Sequence, residues 1–473
     1  MPNLSIDMPL FAELMELALG VSQPDNRKAL DAIARRVPLE ITAVQSGAEH
    51  NGWVVPDEWH VRRATIARDG RVLFDGTCHP LAVAGYSSGF RGRVSKAELD
   101  QHVFTNAHFP HDYVFHSAGT YRPWQRHWGF CVPHETYAAW GDGDYDVDLQ
   151  VDFAPGSMLI GTCHKAGREL DTIVFNAHTC HPRQANDDLS GVIAIVALFQ
   201  WLAGQQTRYS YRAVFAPEHL GTVFHLAGLP AADIQRLKLG CFVEMVGSET
   251  ALVLQQSFTG ASMIDRVAEY ALARVQPGLR VSPFRAVIGN DETVWEAPGI
   301  EVPMISVSRY PYPQYHTSAD SLAIISEARL LESVRALAEM VEVFERDCTA
   351  TRRFTGLVAL SNPKYGLYVE RPDPAVDKRL GEEELRLGAL QDRLPRYFDG
   401  RRSAFEIAVA SGVSFARIRS YLEAFAAKGL VELNEVASLN DYDALKRLEH
   451  MGSTTGPVLP PRMSALRKVD ESS

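Results

Sequence analysis

The 473-residue chain reads as an α/β protein built on a mostly parallel sheet, with a β-rich insertion near its start and a small helical module near its end. Three observations predict this. Between about residues 157 and 347, apolar strand-like runs alternate with amphipathic helical stretches, the pattern of βαβ units. From about 51 to 148 the texture changes to short β-rich pieces cut by Gly, Pro and Asp. From about 382 to 433, three helical stretches lead into the strand LVEL.

Taken in order, residues 8–36 place apolar side chains at helical spacing with a break at Ser22-Gln23-Pro24-Asp25, which predicts two short helices before the strand LEITAVQSG. The β-rich region contributes WVVP, RRATIA, RVLFDG and LAVAGYS, with one helical piece over Ser95–His102. The α/β alternation then runs SMLIGTCHKA, DTIVFNAHT, a helix over Ser190–Ala203, RAVFAPE, CFVEMV and PMISVSR. Beyond a Pro-containing stretch near 362–373, the segment SAFEIAVASGVSFARIRSYLEAFAAKGLVEL has the rhythm of a winged helix: helix, turn at Ser411-Gly412, second helix, Gly429, strand. The expected division is a discontinuous catalytic domain (1–50 and 150–350), a β-rich insertion (51–149), a winged-helix-like domain (376–450) and a disordered tail (451–473).

With 47 Lys plus Arg against 58 Asp plus Glu, the formal charge is -11, so there is no global basic field for nucleic acid or an anionic membrane. No apolar run nears the roughly 20 residues that span a bilayer. The six cysteines form no CxxC pair, and the N-terminal segment carries acids where a secretion signal needs basic residues. A cytoplasmic protein with reduced thiols and a small, peptide-like or amide substrate is expected.

At the carboxyl edge of a parallel sheet the strand ends converge on one crevice, so reactive residues at strand exits are expected to meet. The run IVFNAHTCHP delivers His178 and His181 at such an exit; the residues alone leave open which of the two ligates a metal. Asp187 and Asp188 precede a helix that Asp188 or Ser190 can cap, which accounts for one acid but not both. A carboxylate can bridge two cations about 3.5–4 Å apart, and Asp187 is the candidate. RAVFAPEHLG ends in Glu218 beside His219, read either as ligands and acid–base groups or as a turn opening a helix at Leu220. CFVEMVG embeds Glu244 in an apolar strand, where an ionised carboxylate needs a cation or a partner. PYPQYHTSAD presents His316 beside Tyr315, with Asp320 following. Imidazoles and carboxylates in this mixture suit zinc.

These segments resemble the zinc aminopeptidase family that includes bacterial leucyl aminopeptidases and glutamate carboxypeptidase, in particular its aminopeptidase-like bacterial branch with an inserted β domain and a winged-helix tail. The matching pieces are His178-Thr-Cys180, Asp187-Asp188-Leu-Ser190-Gly191, Glu218-His219, Glu244 and His316-Thr317. VPDEWHVRRATI, VAGYSS, HWGFCVPHETY and GNDETVWEAPGIEVP extend the likeness. The resemblance implies a phosphorylase/hydrolase-like zinc-peptidase domain holding one or two zinc ions. It makes Asp187 the bridge, places His178 and Glu244 on one ion and His219 and His316 on the other, and makes Glu218 the general base. Two positions depart from the family pattern: Cys180 replaces an Asp that orients the ligand His, and His219 replaces a ligand Glu.

The expected reaction is cleavage of an amide bond by metal-activated water, most simply by an aminopeptidase acting on a small peptide or aminoacylated substrate. Asp291 and Glu292 are either receptors for a substrate α-ammonium or a solvated acidic turn. Arg309 is the basic residue near the His316 loop that a carboxypeptidase would use, and Tyr315 is expected to line the substrate. A deacylase of a biosynthetic intermediate would use the same ligands. A DNA-binding regulator with a degenerate enzyme domain is the rival from another class. Arg417, Arg419 and Lys428 beside Glu423 give its recognition helix only a thin basic face, so docking or homo-oligomerisation is the expected use of that domain.

Overall fold

The computed structural model describes residues 4–117, 119–370, 381–436 and 439. The expected tail, 451–473, and the outer ends of the expected C-terminal domain, 376–380 and 440–450, lie outside them. The chain divides into two compact units, the first holding the residues up to Leu337 and the second Ala338–Ala444.

The first unit is organised by an eight-stranded sheet. Its strands lie in the order Glu40–Gln45, Ser157–Lys165, Ser210–Ala216, Thr172–His178, Leu237–Val243, Met304–Ser308, Val253–Gln255, Arg280–Ser282. The four strands from Ser210–Ala216 to Met304–Ser308 run parallel to one another. The pairings of Ser157–Lys165 with both its neighbours, and of Val253–Gln255 with Met304–Ser308, are antiparallel. Parallel strands covered on both faces need apolar side chains at every position, and all seven residues of Thr172–His178 are buried. The helix Ser190–Ala203 is apolar around most of its circumference and buries 11 of its 14 residues, as a helix enclosed by the core must.

The segment expected as an insertion forms a separate antiparallel sheet in the order Arg71–Asp75, Glu58–Arg68, Asp144–Ala154, Phe90–Ser95. One face is apolar: Ala64 pairs with Leu149 and Ile66 with Val147, packed with Phe130 and Tyr145. The helix expected over Ser95–His102 is shorter, Lys96–Leu99, capped by the Ser95 side chain.

The second unit starts earlier than the expected 376. Cys348–Arg352, assigned by the sequence to the end of the catalytic domain, is instead the middle strand of a three-stranded antiparallel sheet with Asp399–Ser403 and Val431–Glu435. Such long-range pairing leaves no signature in local periodicity. The helices Glu382–Leu390, Ala404–Ser411 and Phe415–Ala427 follow the expected order. Gly412 makes the turn between the last two in the left-handed region, φ 67°, where a side chain would be strained.

The eight-stranded sheet meets its buried helix at Gly191, where an added Cβ would lie 2.0 Å from the Val243 carbonyl oxygen and 2.5 Å from Asp188 Oδ1. Gly191→Ala should therefore lower stability by about 1–3 kcal/mol or more, read as a reduced melting temperature. Gly204→Ala, where the nearest atom would be 3.7 Å away, should stay within about 0.5 kcal/mol of the parent. Equal melting temperatures for the two variants would refute the close contact.

Candidate metal centre

Each of the four parallel strands delivers a polar residue at or just beyond its carboxyl end: His178, Glu218 with His219, Glu244, and the loop leading to His316. Acids that look like helix caps in the sequence do other work. Neither Asp188 nor Ser190 caps the helix Ser190–Ala203. The Asp188 carboxylate accepts from the His178 backbone N–H at 2.8 Å and from that of Met245 at 3.2 Å, tying two strand ends together. Ser190 Oγ donates to Asn186 O and accepts from Val246 N. Asp320 accepts from the N–H groups of Asn186 and Asp187 at 2.6 and 3.1 Å and from the Tyr312 hydroxyl. The backbone carrying Asp187 is thus fixed from both sides.

Glu218 and His219 are aimed by backbone strain. His219 has φ 55° and ψ −65°, and Leu220 N donates to Glu218 O at 2.6 Å, which together make a γ-turn of the rare positive-φ kind. Met245 and His316 also have positive φ, so three strained residues surround one crevice, as they do where a site is held in a fixed shape.

Two groups of potential ligands meet in the crevice: His178, His181 and Asp187, and Cys180, His181 and Glu218, each with ligand atoms within 4.8 Å of one another. His181 belongs to both, so it joins the site that the sequence assigned to His178. His181 Nδ1 lies 3.1 Å from Asp187 Oδ1, and His316 Nε2 lies 3.0 Å from Asp187 Oδ2. Ligand atoms about 2.0–2.2 Å from a tetrahedral zinc are roughly 3.3 Å apart, so these spacings suit a shared cation. The His316–Asp187 contact does not have hydrogen-bond geometry, and neither nitrogen of the buried His178 has a partner. An unpaired buried imidazole is costly, and a cation at the lone pair of its unprotonated nitrogen removes part of that cost. Burial works to raise Asp187 and Glu218, but the neighbouring imidazoles overcome it and hold both carboxyls below the usual range. Burial lowers His178; burial also works to lower His181, but the Asp187 carboxylate and Cys180 overcome it and hold that imidazole well above its usual range. The donor set therefore fits zinc.

Other expected site residues stand differently. Glu244 Oε2 accepts from Asn290 Nδ2 at 2.5 Å and its Oε1 from Ser306 Oγ at 2.7 Å. Burial, with Glu292 and Asp188 nearby, pushes its carboxyl well above the usual range. It is satisfied by hydrogen bonds outside both ligand groups. His219 likewise lies outside them, with Nδ1 3.3 Å from Asp291 Oδ1.

Three expected substrate contacts are corrected. Asp291 is fully buried and accepts from His219 N at 2.6 Å and from Thr222 Oγ1, so it supports the γ-turn rather than an ammonium group. Glu292 is fully buried, and both its oxygens accept from Asn290 N. Arg309, also at 0% exposure, donates to the carbonyls of Val246 and Thr250 and pairs with Glu332 at 2.5 Å. In each case polar letters in a loop gave no sign that the loop was interior. Tyr315 stacks on His316, ring centroids 3.8 Å apart.

No motif announced Tyr121, whose hydroxyl donates to Glu218 Oε2 at 2.7 Å. It arrives on a loop of the β-rich segment that docks on the His316 loop: Phe115 N donates to His316 O, and Ser318 N to Tyr113 O. The Phe115 ring then stands over His181 and His316, at 4.9 and 5.1 Å. Cys180 does not orient His178. Its Sγ accepts from Glu218 N at 3.3 Å.

Comparison with known proteins places this architecture. A Clostridium acetobutylicum protein, provisionally named a polysaccharide biosynthesis protein with an aminopeptidase-like domain, is 28% identical over 90% of this chain and 95% of its own length. A crystal structure from the same organism, provisionally named a peptidase, matches with a TM-score of 0.75 at 27% identity, covering 90% of this chain and 95% of that one. The zinc aminopeptidase of Bacillus subtilis shares the fold, with a TM-score of 0.54 at 13% identity over 70% of this chain and 93% of its own. Residues 9–347 match the family described as "Domain of unknown function (DUF4910)", and the chain belongs to that family.

Proposed function

We propose that this protein is a zinc-dependent amide hydrolase of the peptidase type. The observation that carries the reading is the convergence of His178, His181, Asp187 and His316 beside Glu218 at the carboxyl edge of the sheet. The kinship in fold with zinc aminopeptidases supports it. Among the four, Asp187 presents its two oxygens to different imidazoles, the posture of a bridging or central ligand.

A zinc ion held there supplies Lewis acidity toward the amide carbonyl and acidifies water. The remaining work falls to the protein. Glu218 takes the proton from the attacking water and passes it to the departing amine. The Tyr121 hydroxyl holds Glu218 Oε2 and so fixes the orientation of Oε1. Phe115 covers the imidazoles and limits their access to bulk water.

An aminopeptidase on a small peptide or aminoacylated substrate is one form of this activity. Asp291 and Glu292, the expected holders of a substrate ammonium, are committed inside the protein, which favours the deacylase form, acting on an amide with no free amine to anchor. The polysaccharide-related name of the Clostridium relative agrees with such a biosynthetic substrate. The second unit, with its helix–turn–helix pair and three-stranded sheet, we read as a winged-helix-like accessory for docking or self-association.

Two outcomes test the site. His181→Ala and His316→Ala should each lose most of the bound zinc measured by elemental analysis, because removing one ligand from a site of few ligands abolishes tight binding. Full zinc stoichiometry in His181→Ala would return the ligand role to His178 alone. Glu218→Gln keeps the side-chain length but cannot accept a proton, so zinc content should persist while amide hydrolysis falls by roughly 10²–10⁴-fold. Near-parental turnover with metal retained would sink the general-base role, and loss of metal would make Glu218 a ligand.

A further inference from the structure

A pocket of about 190 Å³ opens beside the ligand cluster. Its floor includes Tyr121 and His181, which belong to the site just described, while its walls include Leu19 and Val21 from the N-terminal segment, Trp59 and Val61 from the strand Glu58–Arg68, and Leu81. Among the described residues, no Asp, Glu, Lys or Arg contributes to it. At roughly 30 Å³ per water-sized atom, it has room for about six non-hydrogen atoms.

We propose that this pocket receives an uncharged, apolar group of the substrate, a short aliphatic chain or a phenyl-sized ring attached next to the scissile amide. The inference rests on the amide-hydrolase reading and names the substrate class of the same site. Three features carry it. The pocket is continuous with the centre through His181 and with the base through Tyr121, so a group lodged in it belongs to a molecule whose amide lies at Glu218. Around its apolar side chains the wall carries the amide, hydroxyl and imidazole groups of Gln23, Ser117, Thr120 and His116 but, among the described residues, no carboxylate, ammonium or guanidinium, so a charged appendage would lose its hydration without a carboxylate or a Lys or Arg to pair with. The acids that would otherwise draw an ammonium toward the site are turned inward. Selectivity for an apolar appendage is therefore built from the N-terminal segment and the β-rich segment, not from the parallel-strand ends.

The test uses zinc-loaded Glu218→Gln protein and hydroxamic acids, which bind zinc through one end and vary in their acyl tail. Calorimetric titration should show hexanohydroxamate binding at least 10-fold more tightly than acetohydroxamate, while succinic monohydroxamate, with its charged tail, gains nothing. Adding Val61→Trp, which fills the pocket from a partly exposed position, should erase the hexano-to-aceto ratio. Val61→Thr, nearly the same size but polar, should reduce it and serves if the larger residue impairs folding. Tail-independent binding, or a ratio that neither Val61 variant alters, would overturn the proposal. A ratio that follows the Val61 variants, together with no hydrolysis of hexanoyl or phenylacetyl amides by the parent enzyme, would leave the pocket standing and overturn the hydrolase reading instead.

Discussion

The first unit depends on satisfying six carboxyl groups buried at the edge of its sheet. Asp187, Asp188, Glu244, Asp291, Glu292 and Asp320 are all buried, and an ionised carboxylate in such a place costs several kcal/mol unless something replaces its hydration. Backbone N–H groups do so for Asp188, Asp291, Glu292 and Asp320. Side-chain donors do so for Glu244. For Asp187 the partners on both oxygens are imidazoles, and that asymmetry singles it out from the others. The other five are held by these hydrogen bonds, which leaves Asp187 as the one of the six whose contacts suit a cation.

This arrangement explains how the candidate site is held without a rigid cage of side chains. Asp188 joins the ends of two neighbouring strands, Asp320 fixes the backbone before Asp187, and Asp291 braces the γ-turn that carries Glu218. Removing any of these would move a reactive group without touching it. Supporting residues of this kind are as specific as the ligands they orient.

Much of the fold was legible because it follows from local pattern. The buried strand TIVFNAH, the all-apolar helix from Ser190 and the helix pair around Gly412 declare themselves by periodicity and turn chemistry. The strand exits also pointed to a single crevice, and the fold brings His178, Asp187, Glu218 and His316 together in one. What escaped were properties of tertiary packing. The letters GNDET read equally well as an exposed acidic turn, and only the fold shows that Asp291 and Glu292 face inward. Arg309 looked like a substrate contact for the same reason. Tyr121 was invisible because it acts 97 positions away from Glu218 along the chain. The middle-strand role of Cys348–Arg352 likewise belongs to pairings that no window of sequence contains.

The docking of residues 113–115 on residues 316–318 joins parts of the chain that are 205 positions apart. Contacts of such long separation carry a large loop-closure cost and form late. Phe115 stands over His181 and His316 only where these two loops meet, so the cover belongs to the tertiary contact and to neither loop alone. A substitution at Tyr113 or Ser318, neither of them a candidate ligand, would therefore uncover the crevice by loosening the loop that carries Phe115.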